Sequence, residues 1–474
     1  MIKFTLGWLL TFEAAFFIVP MITAAVYLES AFFSFLWPAL ICLALGLLLI
    51  SKRPENTTLY AREGFIIVSM SWIVLSLFGT LPFMLSGTTK SFIDALFETA
   101  SGFSTTGASI FSEVESLPKS ILMWRSFTNW VGGMGVLVFV MAFLPLSGGQ
   151  NMHIMRAESP GPEVAKLVPR VKNTAKILYL IYLGLTALQF IIMLISGMSV
   201  FDSLNTAFAT AGTGGFGIKN DSFASTTAVQ QIIVTIFLII FSINFNSYYL
   251  VLKLKFRDAF NSEVRVFLAI VAAAILLITV NISSSYSSFW EAMRHAGFTV
   301  ASIISTCGFA TENFDVWPEL SRIILVLIMF IGACAGSTGG GIKVSRIIIL
   351  FKGYIREIGT LIHPKQVKKI TIDSRPVESQ VVKSVSAYIV CYVMLFAISL
   401  LIVSLDNHDF TTSFTAVTAT INNIGPGLGG VGPTANYAFF SPLSKITLIF
   451  NMLAGRLELF PMLILFSPST WKKY

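Results

Sequence analysis

Residues 92–109 read FIDALFETASGFSTTGAS. The same plan returns as VFDSLNTAFATAGTGGFG at 200–217, AMRHAGFTVASIISTCGFA at 292–310 and FTTSFTAVTATINNIGPG at 410–427. Each is a short amphipathic stretch running into a Gly-containing polar loop. Each is too brief and too polar to cross a bilayer, which takes about 20 apolar residues as helix. Such segments fit re-entrant half-helices that enter a membrane and turn back. Gly107, Gly215, Gly308 and Gly425 mark the repeat at spacings of roughly a hundred residues, and this fourfold plan organises the chain.

Working outward, each loop is flanked by two long apolar runs. The first helices are expected at about 63–86, 171–196, 264–282 and 381–403, and the second at about 119–144, 228–251, 319–350 and 443–467. Two further runs, about 5–27 and 31–50, open the chain. The first is too long for a signal peptide and another follows at once, so it reads as a retained helix. Composition agrees: 474 residues are 55% apolar and 12% charged, with mean hydropathy +0.79, where soluble domains carry roughly 25% charge. The fold class expected is an all-α polytopic membrane protein, two N-terminal helices plus four helix–re-entrant pore loop–helix repeats around one central ion pore. The units are 1–52, 53–150, 151–260, 261–365 and 366–474.

The net charge of +8 is clustered, with most Lys and Arg in 51–63, 147–176, 251–265, 343–383 and 471–474. The positive-inside bias places these in the cytoplasm. Ten crossings put both termini on that side and all four loops on the other. There Glu113, Glu115, Asp221, Glu312, Asp315, Glu319, Asp406 and Asp409 gather instead. The charge is therefore topological, with the lipid bilayer and not nucleic acid as the medium it answers to. Cys42, Cys307, Cys334 and Cys391 show no paired or metal-like spacing. With four His and no nucleophile–base pair, metal cluster or cofactor motif, an enzyme is not expected, nor any cofactor.

Aligned on their glycines, the loops read Thr105-Thr106-Gly107, Thr213-Gly214-Gly215, Thr306-Cys307-Gly308 and Asn423-Ile424-Gly425. Three match Thr-x-Gly and the fourth has Asn. This is a reduced form of the TVGYG filter, whose carbonyls replace the hydration shell of K⁺. Inward-pointing carbonyls need backbone conformations that Gly tolerates. Each half-helix also turns its negative C-terminal end towards the ion. In the Gly-rich second loop the register of Gly214 and Gly215 is open by one residue.

A second irregularity is IGACAGSTGGGIK at 331–343, inside a long apolar stretch. Unbroken helix from Glu319 to Glu357 would measure about 58 Å at roughly 1.5 Å per residue, against a hydrocarbon core of about 30 Å. A break at Gly332–Gly341 divides it, and non-helical backbone at membrane depth belongs beside a cavity or within protein. The expectation is a loop facing the permeation path below the filter, the alternative a packing kink. A nucleotide P-loop is excluded because Ile342 separates Gly341 from Lys343. Arg456, near the middle of the last helix, is a charge at a depth that demands a partner or a wet cavity. Its alternative is an inter-helix ion pair, for which Glu458 at i+2 is badly placed. Lys343 either holds the loop through its carbonyls or snorkels to the cytoplasm. Arg125 and Arg322 are expected to anchor the outer interface.

With these motifs in view, the sequence resembles the Trk/Ktr/HKT superfamily of potassium transporters, most closely its bacterial TrkH-like branch. The resemblance spans nearly the whole chain. It rests on RAESPGPEVAKLVPR (156–170), STCGFATENFD (305–315), GACAGSTGGGIKV (332–344), NNIGPGLG (422–429) and NMLAGRLELF (451–460). It implies potassium uptake across the bacterial cytoplasmic membrane, with K⁺ as the transported ion and filter glycines at Gly107, Gly215, Gly308 and Gly425. Gly107, where sodium-transporting plant relatives carry Ser, implies a potassium preference. It further implies an intramembrane gate at Gly336, Ser337, Thr338, Gly339, Gly340 and Gly341, with Arg456 projecting into the pore. A homodimer on a cytoplasmic ring of nucleotide-binding regulatory subunits of the RCK/KTN type (TrkA-like) is implied too. Segments 351–383 and 147–176 are the docking surfaces expected for that ring. A channel-like subunit and a K⁺ symporter coupled to H⁺ or Na⁺ remain the two transport readings. Coupling would need an intramembrane carboxylate, for which Glu13 and Glu98 are candidates.

Overall fold

The computed structural model describes residues 1–51, 61–135, 171–364 and 369–472. Six helices are long and apolar enough to cross a membrane: Ile2–Val26, Phe32–Ile50, Arg62–Leu85, Lys176–Ile195, Ser262–Ser285 and Ser379–Asp406. They are the N-terminal pair and the first helix of each repeat. Their exposed faces carry Ile, Leu, Val and Phe, as lipid contact requires.

The four pore helices are Phe92–Phe103, Val200–Ala211, Phe289–Ile304 and Phe410–Ile421. A single device starts all of them. Ser91, Ser199, Ser288 and Asp409 each accept, through the side chain, the amide three residues on. This satisfies one of the orphan donors every helix N-terminus carries. Behind the cap the four helices carry small and hydroxylated residues, so that backbones pack closely.

The second helices hold the main difference from expectation. All four stop short, not the third alone. They run Lys119–Gly133, Ala228–Ser242, Glu319–Ile331 and Pro442–Arg456. The second resumes as Phe245–Leu252 after a bend of 91°, because Asn244 turns its side chain onto the Asn246 amide and starts a new helix. The fourth resumes as Phe460–Ile464 after Glu458 and Leu459, both at positive φ. The third resumes as Val344–Ile362 beyond the glycine loop. The stretch 136–144 expected to extend the first lies outside the described residues.

These helices close into a ring. Each second helix packs against the pore helix of its own repeat and that of the next, and the fourth packs against the first pore helix. The N-terminal pair is fastened outside by Phe17 and Phe35 on Trp124, whose indole N–H donates to the Gly79 carbonyl at 3.1 Å. The linker after Ile362 forms a small hairpin, Thr371–Ile372 with Arg375–Pro376, which periodicity did not suggest.

Candidate ion-conduction site

The ring of helices delivers four loops to one place. Thr105, Thr213, Thr306 and Asn423 all adopt positive φ, between 51° and 62°, and Gly107, Gly215, Gly308 and Gly425 follow at 70–97°. The repeated dihedral pair fixes the second loop's register, with Gly215 equivalent to Gly107. It also shows why glycine stands there. A Cβ on Gly107 would overlap the Gly214 carbonyl oxygen, one on Gly215 that of Cys307, and one on Gly308 that of Ile424. On Gly425 it would lie 2.7 Å from the Thr106 oxygen. Each glycine thus abuts the middle carbonyl of the next loop, and the fourth returns to the first. The carbonyls of Thr106, Gly214, Cys307 and Ile424 make a closed circuit. All four glycines line one outer cavity of about 130 Å³.

The side chains around the circuit are not equivalent. Thr213 Oγ1 donates to the Gly212 carbonyl at 2.7 Å, and Thr306 Oγ1 accepts the Gly340 amide at 2.6 Å. Asn423 Nδ2 donates both to Thr106 Oγ1 at 3.0 Å and to the Met452 carbonyl at 2.8 Å. That explains the departure from Thr, since a hydroxyl has one donor and no such reach. Thr105 Oγ1 and Asn423 Oδ1 are buried oxygens without a hydrogen-bond partner.

Beneath the circuit lies the 332–343 loop. Its Gly340 amide donates to Thr306 Oγ1 of the third loop, and a Cβ on Gly339 would lie 2.7 Å from the Ser305 carbonyl oxygen. From the third repeat it reaches the second: the Cys334 amide donates to Ser242 at 3.0 Å and the Phe245 amide to the Gly336 carbonyl at 3.0 Å. Thr338 Oγ1 donates to Phe241 at 3.1 Å. Lys343 is buried, with its ammonium on the Gly339 carbonyl, and so does not snorkel. Arg456 donates to the Thr338 carbonyl at 2.7 Å and to those of Gly132 and Gly133 at 2.5 and 2.6 Å. It therefore joins the loop to the end of the first repeat's second helix. Glu458 pairs with Arg346 instead, and Arg346 also lies 4.1 Å from the Tyr388 ring centre.

One expectation fails. Arg125 is not an interface anchor. It is 2% exposed and pairs with fully buried Glu98 at 2.7 Å. It also donates to Gly217 at 3.0 Å and to Ser109 Oγ at 3.2 Å, tying the outer limbs of loops one and two. Glu98, considered as a coupling-ion carboxylate, is thus neutralised and also accepts the Ile110 amide at 3.0 Å. Glu13 is buried on the first helix, which packs on the second, on the first repeat's first helix and on its second. Arg322 stands in the first turn of Glu319–Ile331, pairing with Asp315 at 3.4 Å and Glu319 at 3.0 Å. Among the described residues no group of three or more His, Cys, Asp or Glu is arranged to hold a metal ion.

A closed circuit of four glycine-bearing loops, each behind a capped half-helix and above the 332–343 loop, defines a polytopic membrane protein of the four-loop pore class. A family model described as "Cation transport protein", TrkH, matches residues 29–473. The Trk system potassium uptake protein TrkH of Escherichia coli K12 is 37% identical over 480 residues, covering 98% of each chain. That of Halomonas elongata is 35% identical over 484 residues, covering 100% of this chain and 99% of the relative. The crystal structure of the potassium transporter TrkH from Vibrio parahaemolyticus superposes with a TM-score of 0.90 at 33% identity, covering 99% of both chains. The chain belongs to the TrkH family of cation transport proteins, whose members are transporters and not enzymes.

Proposed function

We propose that the chain is the translocation subunit of a potassium-uptake system in a bacterial cytoplasmic membrane. The observation that carries this is the closed circuit of loop carbonyls, in which each glycine leaves room for its neighbour's oxygen and for nothing larger. The relatives named Trk system potassium uptake protein point to K⁺ as the ion. An ion entering the outer cavity exchanges hydration water for the carbonyls of Thr105, Thr106, Gly107, Thr213, Gly214, Gly215, Thr306, Cys307, Gly308, Asn423, Ile424 and Gly425. The pore helices add the negative ends of four dipoles. Loops one and three carry one glycine where TVGYG carries two, so fewer rings are fixed than in a full filter and discrimination against Na⁺ is weaker.

Below, the segment from Gly336 to Gly341 is the gate. Lys343 closes it through the Gly339 carbonyl, and Arg456 staples it across the pore while presenting positive charge to any cation on the path. The clustering of basic residues supports a cytoplasmic side for both termini. The subunit works as a homodimer on a ring of nucleotide-binding regulatory subunits that dock at 351–383 and 147–176. The latter lies largely outside the described residues.

The test is Rb⁺ uptake by proteoliposomes of the purified chain, with and without imposed proton or sodium gradients. Uptake down the Rb⁺ gradient alone is the expected outcome. Uptake that requires a proton or sodium gradient would move the assignment to a coupled symporter.

A further inference from the structure

The 332–343 loop has two feet, and one buried carboxylate holds both. Glu263 Oε1 accepts the Ala335 amide at 2.7 Å and the Ser345 amide at 3.1 Å. Ala335 belongs to the loop, whereas Ser345 is the second residue of the inner helix Val344–Ile362. That helix starts at Lys343, at φ +81°, with no side-chain cap of its own. Its first amides need acceptors, and their partial positive charge favours a carboxylate. Glu263 supplies the cap from a different helix and reaches the loop with the same oxygen.

Glu263 is itself held in place. It stands in the first turn of Ser262–Ile282, which Asn261 caps by accepting the Val264 amide at 3.0 Å. On the cytoplasmic hairpin, Asp373 accepts the neighbouring Ser262 amide at 2.9 Å and its hydroxyl at 2.5 Å. The carboxylate is therefore preset by elements outside the loop.

We propose that Glu263 is the latch of the closed gate. It clasps Ala335 and Ser345 together, and the loop leaves the pore only when the Ala335 amide is released. The Ser345 contact stays as a hinge cap. This rests on reading 336–341 as the gate.

The test uses the purified full chain in proteoliposomes, with resting Rb⁺ efflux as the readout. Glu263→Asp keeps the charge but is one methylene short of both amides, and Glu263→Gln keeps an oxygen at the same reach without the charge. A chain lacking 336–341 runs in parallel. Losing charged hydrogen bonds of this kind predicts that Glu263→Asp raises resting efflux about tenfold or more, Glu263→Gln less. The K⁺/Na⁺ ratio stays unchanged, because the filter is untouched. Cys334, buried next to Ala335, supplies a second readout. It should react with a water-soluble thiol reagent in Glu263→Asp and not in the wild type, with Cys334→Ser identifying the site. If Glu263→Asp does not fold, Glu263→Gln and its Cys334 reactivity decide. Folded Glu263 variants with wild-type efflux and unreactive Cys334, beside a leaking loop-deleted chain, would overturn the latch. A loop-deleted chain that does not leak would overturn the gate itself and the latch with it.

Discussion

At Gly308 a single methyl group has nowhere to go, because the Ile424 carbonyl oxygen occupies its place. The same holds around the circuit, so any side chain at one glycine must move a carbonyl on the next loop. Substitution is therefore expected to disturb ion discrimination before it disturbs folding. Arg125 and Glu98 behave differently, since both charges are buried and each is costly without the other. Arg125→Gln should lower stability by about 3–5 kcal/mol, read as a fall in the melting temperature of the detergent-solubilised protein. The double change to Gln at both positions should recover part of it. Arg456 is a third case, holding the 332–343 loop through the Thr338 carbonyl. Arg456→Ala is expected to raise resting Rb⁺ flux on the order of tenfold through loss of that charged bond. A variant that unfolds with no gain in flux would make Arg456 a structural strut.

At the scale of elements, the pore helices stand on their caps. Ser288→Ala should cost about 1 kcal/mol, visible in thermal melts, and should not alter which ion passes. Asp409 is a charged version of the same device. Hydrogen bonds from the Thr412 side chain and amide hold its carboxyl below the ordinary value of 3.8. A depressed folded pKa means the stabilisation is complete above the unfolded value and is lost only as pH falls through the lowered one. Acidifying the outside from about pH 7 to 5 should therefore leave this cap intact, and a melting temperature that falls over that range would contradict it. The four pore helices were legible as amphipathic stretches, their caps, which stand ahead of the stretches quoted, being apparent only in the structure. The break after Ser242 was not. It uses Asn244 within an apolar run with no Gly or Pro, and a side chain turned onto its own backbone leaves no mark in periodicity. The kink at Glu458 and Leu459 was hidden likewise, being positive φ on residues that rarely take it.

At the scale of the whole molecule, the repeat was legible because four copies share one short motif and one flanking pattern. What joins the copies was not. Arg125 and Glu98 both stand in the first repeat, Glu98 visible as an intramembrane carboxylate and Arg125 read only as an outer anchor. That the pair ties loop one to Gly217 of loop two depends on a contact 92 residues apart in the chain. The 332–343 loop shows the same limit, since its glycines announce a break, while Arg456, Thr306, Ser242 and Glu263 reach it from three different repeats. Closing the ring makes one pore from four weak motifs, and each loop is completed by its neighbour.

Ion discrimination tests that claim most directly. Flux of K⁺, Rb⁺, Cs⁺, Na⁺ and Li⁺ would be compared in proteoliposomes of the wild type and of Gly308→Ser. Passive flux that favours K⁺ and Rb⁺ is expected in the wild type, with discrimination against Na⁺ sharply reduced in the variant. A folded Gly308→Ser chain with wild-type selectivity would contradict it, because the circuit of loop carbonyls would then not be where the ion is chosen.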